Sequence, residues 1–312
     1  MADDPADLVQ RARSGDRAAL ARLLSLAERG GPVAREVGRL THPLAGQAYT
    51  VGVTGAPGAG KSTLTNGLVL EARGEGESIA VLAIDPSSPF SGGAILGDRV
   101  RMSDHISDPS VYIRSMATRG HLGGLSLATL EAVRVLDAVG WPWVVIETVG
   151  VGQVEVEVAE AADTTVVVVN PGWGDAVQAN KAGLLEIADV FVINKADRPG
   201  VEETRSDLER MLNLTDDGGW RPPVVVTTAL TGGGVPELWA AIGAHRAHLD
   251  ATHTLAPRRA ARVGAELTHI LMALLLERAQ DRAGVALDEL TEAVVNRTID
   301  PWTAAGQLLL PE

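Results

Sequence analysis

Cysteine is absent from the 312 residues. Disulfide bridges and thiolate-bound metals are thereby excluded, although the absence assigns no compartment by itself. Long apolar runs are missing too: stretches such as VVVV at 166–169 are far too short to span a bilayer. Positive charge is in deficit. The formal net charge of -13 opposes the phosphate backbone of nucleic acids and anionic lipid surfaces. No basic patch overrides it, because RSDLER and RRAAR are small and mixed or isolated. The N-terminal MADDPADLVQ lacks the basic-then-apolar order of a signal peptide, so a cytoplasmic protein is expected, with neither nucleic acid nor membrane as partner. Internal repeats and low-complexity tracts are absent as well. With 46% hydrophobic and 21% charged residues, the chain has the make-up of a soluble globular protein, and its length suits one large domain with appendages.

Hydrophobic periodicity divides the chain. Residues 3–41 read as helical, with Leu20, Leu23, Leu24 and Ala27 on one stripe and Gly30 and Gly31 as a stop, which predicts a helical hairpin. From residue 49 short β-branched runs alternate with helical stretches: 49–54, 79–84, 111–113, 143–148, 164–170, 190–194 and 223–228. Most are continuously apolar, as strands covered on both faces of a mostly parallel sheet must be. Leu125–Val139 and Val235–Leu249 are examples of the helices between them. The expectation is an open α/β fold, with helices on both faces of a mostly parallel sheet and ligands at the C-terminal strand ends. After DATHTLAPRR the strand signal stops. Val263, Leu267, Ile270, Leu271, Leu274 and Leu275 then fall at helical spacing within a helix over 258–280, followed by a second over 286–296. Their apolar stripe suits packing on the sheet and self-association equally. The expected division is a helical extension over 1–46, a nucleotide domain over 47–250 and a C-terminal helical segment over 251–312.

The stretch GVTGAPGAGKSTLTNGL at 52–68 states the chemistry. Gly55 and Gly60 bracket four residues and precede Lys61 and Ser62, the G-x-x-x-x-G-K-[ST] spacing of a phosphate-binding loop between a strand and a helix. Glycines let backbone N–H groups converge on an anion, and the helix that follows adds its positive end. Residues Gly55, Ala56, Pro57, Gly58, Ala59, Gly60, Lys61, Ser62 and Thr63 are therefore the candidate cradle, with Lys61 reaching the β- and γ-phosphates and the Ser62 hydroxyl ligating Mg²⁺.

The base is read further on. VFVINKAD ends the sixth apolar run and contains N-K-x-D as Asn194, Lys195 and Asp197. A carboxylate accepts two hydrogen bonds, and guanine offers adjacent N1–H and 2-amino donors where adenine has no matching pair, so Asp197 selects guanine. Asn194 is suited to bond the base edge and tether neighbouring loops, and the Lys195 stem to cover the ring face. Thr228, Ala229 and Leu230 occupy the place of the S-A-x loop whose backbone faces guanine O6, with threonine standing for serine.

Between these motifs, Glu147 to Gly150 reads E-x-x-G where most GTPases carry D-x-x-G. Its carboxylate suits a Mg²⁺-bound water, and Gly150 the γ-phosphate. Val151 follows Gly150 where Ras-like enzymes place a water-orienting glutamine, so hydrolysis by the isolated chain is expected to be slow; Gln153 stands two residues later. Asp85 and Asp98 are further candidates for the Mg²⁺ shell, on either side of a Pro/Ser/Gly-rich segment that suits a switch, although Asp85-Pro86 suits a plain turn equally. NPGWGDAVQANKAG, containing Lys181, reads as a switch or as a connection into a helix. His245 and His248 are the close pair among seven histidines, and read as decorating one helix face rather than holding metal.

Taken together, GAPGAGKST, AIDPSSPFSGGAILGDRVRM, ETVGVGQ, NPGWGDAVQANKAGLLEIADVFVINKAD and TTALTGGGV closely resemble the MeaB/ArgK family of P-loop GTPases, which includes the methylmalonic aciduria type A protein, over nearly all of residues 15–300. The resemblance implies a P-loop NTPase fold, with GTP and GDP with Mg²⁺ as ligands. It further implies a chaperone for an adenosylcobalamin-dependent acyl-CoA mutase, most often methylmalonyl-CoA mutase, and a homodimer joined through C-terminal helices. It maps switch residues onto Glu147, Gln153 and Lys181. Two departures stand out: Ser91 replaces the usual threonine before Gly92-Gly93, and Val154 follows Gln153 where serine is common. Two rivals belong to other classes. An ATP-dependent kinase serving amino-acid transport conflicts with Asp197, and a nickel or cobalt delivery GTPase conflicts with the absence of cysteine.

Overall fold

The computed structural model describes residues 4–86, 107–118, 127–148, 154–172, 186–214 and 219–309. They divide into two compact units, Met1–Arg258 and Arg259–Glu312.

The first unit is built on a sheet of seven strands in the order β3-β2-β4-β1-β5-β6-β7, every neighbouring pair parallel. The strands are β1 Tyr49–Gly55, β2 Ile79–Pro86, β3 Val111–Thr118, β4 Trp143–Thr148, β5 Thr164–Val169, β6 Val190–Ile193 and β7 Val224–Val226. The continuous apolar runs have the expected cause. In β4, Val144 and Ile146 enter one core while Trp143 and Val145 enter the other; in β5, Val167 and Val169 face away from Val166 and Val168. A strand covered on both faces leaves no position for a polar alternation.

Helices α4 Lys61–Gly74 and α8 Val235–Ala251 cover one face through Leu64, Leu68, Val69, Leu238 and Ile242. Helices α5 Leu127–Ala138 and α6 Val154–Ala161 contribute to the other face, and α7 Val201–Leu212 packs on β5 and β6 through Leu208 and Leu212.

The N-terminal region forms three helices rather than a hairpin: α1 Pro5–Arg13, α2 Arg17–Arg29 and α3 Gly31–Thr41. Gly15, at φ 94°, breaks the first from the second, and Asp16 restarts the chain by accepting the Ala18 and Ala19 N–H groups. Gly30 ends α2, but Pro32 in the first turn of α3 starts a further helix. The stripe Leu20, Leu23, Leu24 and Ala27 is buried as expected, and its leucines share one core with Leu82, Ile84 and Leu136.

The second unit departs from expectation in the opposite sense. One helix, α9 Leu255–Val295, spans the stretch where two were expected, and α10 Pro301–Leu309 follows it. Gly284 is the sole glycine or proline in the expected gap. A lone interior glycine costs a helix about 1 kcal/mol, too little to break one of this length.

Candidate functional site

Strand β1 lies between β4 and β5, where the chain winds to β2 on one side and to β5 on the other. Crossovers leave in opposite directions there, opening a crevice beyond the C-terminal strand ends. The phosphate loop occupies it. Gly55 closes β1 at φ 132°, where an added Cβ would collide with the Val168 carbonyl of β5; Gly58 and Gly60 also take left-handed angles, 71° and 93°. Helix α4 begins at Lys61 with no side chain capping its first turn, so its leading N–H groups face the loop. Pro57, Gly58 and Thr63 are exposed, whereas Ala59 is buried. Lys61 is buried as well, and its Nζ donates to Gly55 O at 2.6 Å and Ala56 O at 3.1 Å. The ammonium is therefore held against the loop backbone.

Asn194, at the end of β6, joins three loops. Its Nδ2 donates to Ala59 O at 2.8 Å, and its Oδ1 accepts from Thr227 Oγ1 at 3.0 Å and Ala229 N at 3.1 Å. An added Cβ at Gly60 would strike that Nδ2, so the second glycine of the loop is required by the asparagine as well as by its own φ. Asn194 thus serves as the tether of the expected pair of roles, and the Ala229 N–H points to it. Lys195 adopts a left-handed φ of 61°, uncommon without glycine, and its Nζ reaches Gly58 O at 2.5 Å. The stem is thereby drawn across from β6 to the phosphate loop. Asp197 and Leu230 are exposed, and the Thr228 N–H donates to Gly233 O within its own loop.

Glu147 meets Ser62. The alternation of β4 sets Glu147 on the face of Trp143 and Val145, which is the face covered by α4, and the Ser62 hydroxyl donates to Glu147 Oε1 at 2.5 Å. Glu147 is buried, with 1% of its surface exposed. A hydroxyl beside a buried carboxylate is a hard-oxygen donor set of the kind that Mg²⁺ takes. Asp85 lies near the end of β2, its backbone paired with Ala117 of β3 and two residues beyond Ala83, the register partner of Glu147; its side chain is outside the described residues. So are Asp98, Gln153, Lys181, Ser91 and Gly150, together with most of the two segments read as switches.

The opposite end of the sheet holds a polar chain that sequence reasoning missed. Tyr49 OH meets Thr164 Oγ1 at 2.7 Å, Thr164 Oγ1 meets His245 Nδ1 at 2.8 Å, and His245 Nε2 lies 3.3 Å from Asp189 Oδ1. Asp189 also accepts both Arg258 guanidinium nitrogens, at 3.0 and 2.7 Å, and the Thr165 N–H. Donor directions follow from the acceptor. An ionised carboxylate only accepts, so Nε2 carries the ring proton; Nδ1 then accepts from Thr164, whose oxygen accepts from Tyr49. Burial holds His245 neutral, down to about 4, against the opposing pull of Asp189, and pushes Tyr49 up to about 12. His245 is therefore turned into the core rather than decorating the helix surface. Its one sequence signal was its place on the apolar stripe of α8, at i+3 from the buried Ile242.

A family model described as "Methylmalonyl Co-A mutase-associated GTPase MeaB" matches residues 20–283. A putative GTPase of Pyrococcus abyssi is 50% identical, over 97% of this chain and 95% of its own. The mouse "Methylmalonic aciduria type A homolog, mitochondrial" is 33% identical, over 84% of this chain and 65% of its own. Among solved structures, one titled "Crystal structure of LAO/AO transport system kinase" superposes with a TM-score of 0.74 at 30% identity, covering 97% of this chain and 96% of its own.

Proposed function

This chain belongs to the MeaB family and is a GTPase, and from that premise we propose that it is a nucleotide-timed chaperone of an adenosylcobalamin-dependent acyl-CoA mutase, methylmalonyl-CoA mutase first among the candidates. GTP and GDP bind across residues 55–63, with Asp197 and residues 228–230 reading guanine. Ser62 and Glu147 would hold Mg²⁺, which would supply neutralisation of phosphate charge. Lys61 leaves the Gly55 and Ala56 carbonyls for the phosphate oxygens, and the first-turn N–H groups of α4 bind the same charge. The γ-phosphate orders the segments around 85–103 and 147–155, its loss releases them, and the mutase responds to the difference while its cofactor is loaded. Hydrolysis is slow without the partner, because Val151 offers no amide to orient water.

The observation that supports the nucleotide reading is the Asn194 tether: one side chain of the N-K-x-D stretch bonds Ala59 of the phosphate loop and Ala229 of the loop after β7. Competition for bound labelled GDP tests it. GTP displaces the label and ADP does not; equal displacement by ADP would return the reading to a kinase, as the solved structural relative is titled. Asp197→Asn replaces two acceptors by an acceptor and a donor, so GDP affinity falls about a hundredfold and xanthosine diphosphate, which offers an acceptor at that edge, becomes the better ligand. The mutase reading is tested by mass spectrometry of proteins retained on the tagged full chain with GTP but not GDP.

Self-association is the second proposal. Val263, Leu267, Leu271 and Leu275 recur at four-residue spacing on α9 and all are exposed, Leu267 by 66%. An apolar row of that length on a helix suits a second copy of the same helix, and light scattering of the full chain at dilution reads the dimer directly.

A further inference from the structure

One face of β1 is made of small and hydroxyl-bearing residues. Thr50, Gly52 and Thr54 alternate with Tyr49, Val51 and Val53, so the two-residue period of a strand puts them on the face away from α4. Helix α6 lies along that face. Beyond its end, the Asp163 N–H donates to Thr50 O and Thr50 Oγ1, both at 2.8 Å, and the Asp163 carboxylate accepts the Thr50 N–H at 3.0 Å. At Gly52 the helix meets the strand backbone itself: an added Cβ would overlap Val158 Cγ1 and stand 3.0 Å from Ala162 Cβ and 3.2 Å from Val158 O. Val158, Ala161 and Ala162 are fully buried. Val158 has no easy escape, because a β-branched residue in a helix is confined to essentially one rotamer. Higher on the same face, Thr148 Oγ1 donates to Thr54 Oγ1 at 3.3 Å, joining the end of β4 to the residue before Gly55.

We propose that Gly52 is a positioning residue for GTP hydrolysis: by admitting α6 against β1, it sets the start of that helix relative to Glu147 and the phosphate loop. The requirement is steric, since the φ of Gly52 lies outside the left-handed region. Its reach comes from packing. Val158 and Ala161 share one core with Val144 and Ile146 of β4. Pushing α6 outward therefore disturbs the strand whose next residue, Glu147, bonds Ser62. Nucleotide binding draws on α4, Asn194 and the loop glycines, and among the described residues Gly52 is the glycine whose missing Cβ faces α6. The inference rests on the GTPase reading of the site.

The test is a size exchange in the full-length protein, with GDP affinity, single-turnover GTP hydrolysis and melting temperature measured for wild type, Gly52→Ala, Val158→Ala and the double variant. Gly52→Ala lowers the hydrolysis rate about tenfold or more while GDP affinity stays within about threefold. The double variant recovers much of that loss, because removing the valine methyls makes room for the new Cβ. Val158→Ala alone causes a smaller drop. A Gly52→Ala protein that turns over GTP like wild type overturns the proposal, as does one that loses GDP binding and hydrolysis together, or a double variant no better than the single. If Gly52→Ala does not fold, a folded and active double variant supports the steric seat, and an unfolded double beside a folded Val158→Ala overturns it. A wild-type protein with no GTP turnover counts against the GTPase reading instead. The melting temperatures then decide the seat: recovery in the double supports it, and additive losses refute it.

Discussion

The two ends of the sheet put similar polar residues to opposite uses. At the C-terminal end, Lys61, Ser62, Glu147, Asn194 and Lys195 converge on the edge of an exposed loop, and Asp197, Pro57 and Thr63 face solvent. At the N-terminal end, Tyr49, Thr164, His245, Asp189 and Arg258 satisfy one another in a buried chain. Large pKa displacements fall at this second end, on Tyr49 and His245. Displaced titration is a signature of burial, and it marks a functional site only where a ligand has access. What separates the ends is the parallel sheet itself. Crossovers leave the C-terminal strand ends in opposite directions around β1 and open a crevice, while the packing of α8 and the start of α9 closes the other end.

Breaking each end separately sharpens the contrast. Lys61→Ala carries the largest expected effect: GDP and GTP affinities fall about a thousandfold, roughly 4 kcal/mol, while the melting temperature without nucleotide stays close to that of wild type. Calorimetric titration reads this, and retained affinity argues against the phosphate-loop assignment. Asp189→Ala does the reverse. It leaves Arg258 and the Thr165 N–H without their shared acceptor and costs about 3 kcal/mol of unfolding free energy, but the folded fraction binds GDP as wild type does. A urea titration with and without GDP separates the two quantities, and a large loss of intrinsic affinity would erase the proposed independence of the two ends.

The smallest of the three effects depends on pH. His245 titrates near 6.5 when unfolded and at about 4 when folded. Between those values the unfolded chain takes up a proton that the folded chain refuses. Its contribution is therefore complete above about pH 6.5 and declines as pH falls, reaching roughly 2–3 kcal/mol lost near pH 4.5. Stability curves from pH 7.5 to 4.5 are steeper for wild type than for His245→Asn. Parallel curves would mean that the ring is not held neutral by its burial.

Particular elements show where the sequence could be read and where it could not. Strand positions were legible because a doubly covered strand must be continuously apolar, and the stripe of α2 because a helix buries every third or fourth residue. Helix boundaries were less so. Gly15 and Pro32 act through a local φ and a first-turn preference too weak to separate a hairpin from three helices, and the interior Gly284 resembles a stop without being one. His245 was misjudged for a different reason: a histidine on an apolar stripe looks alike whether its partners are water or an aspartate 56 positions earlier in the chain.

The sequence by itself determined the nucleotide class and the family, because G-x-x-x-x-G-K-S and N-K-x-D are short-range patterns whose members are neighbours in the chain and act through local backbone geometry. Only the tertiary structure decided which of these pieces meet. Ser62 finds Glu147 85 residues away, Asn194 finds Ala59 at a separation of 135, and Gly52 finds Val158. Those meetings follow from β1 lying between β4 and β5. Strand order is settled by how whole strands and helices pack, and no spacing within a single strand encodes it.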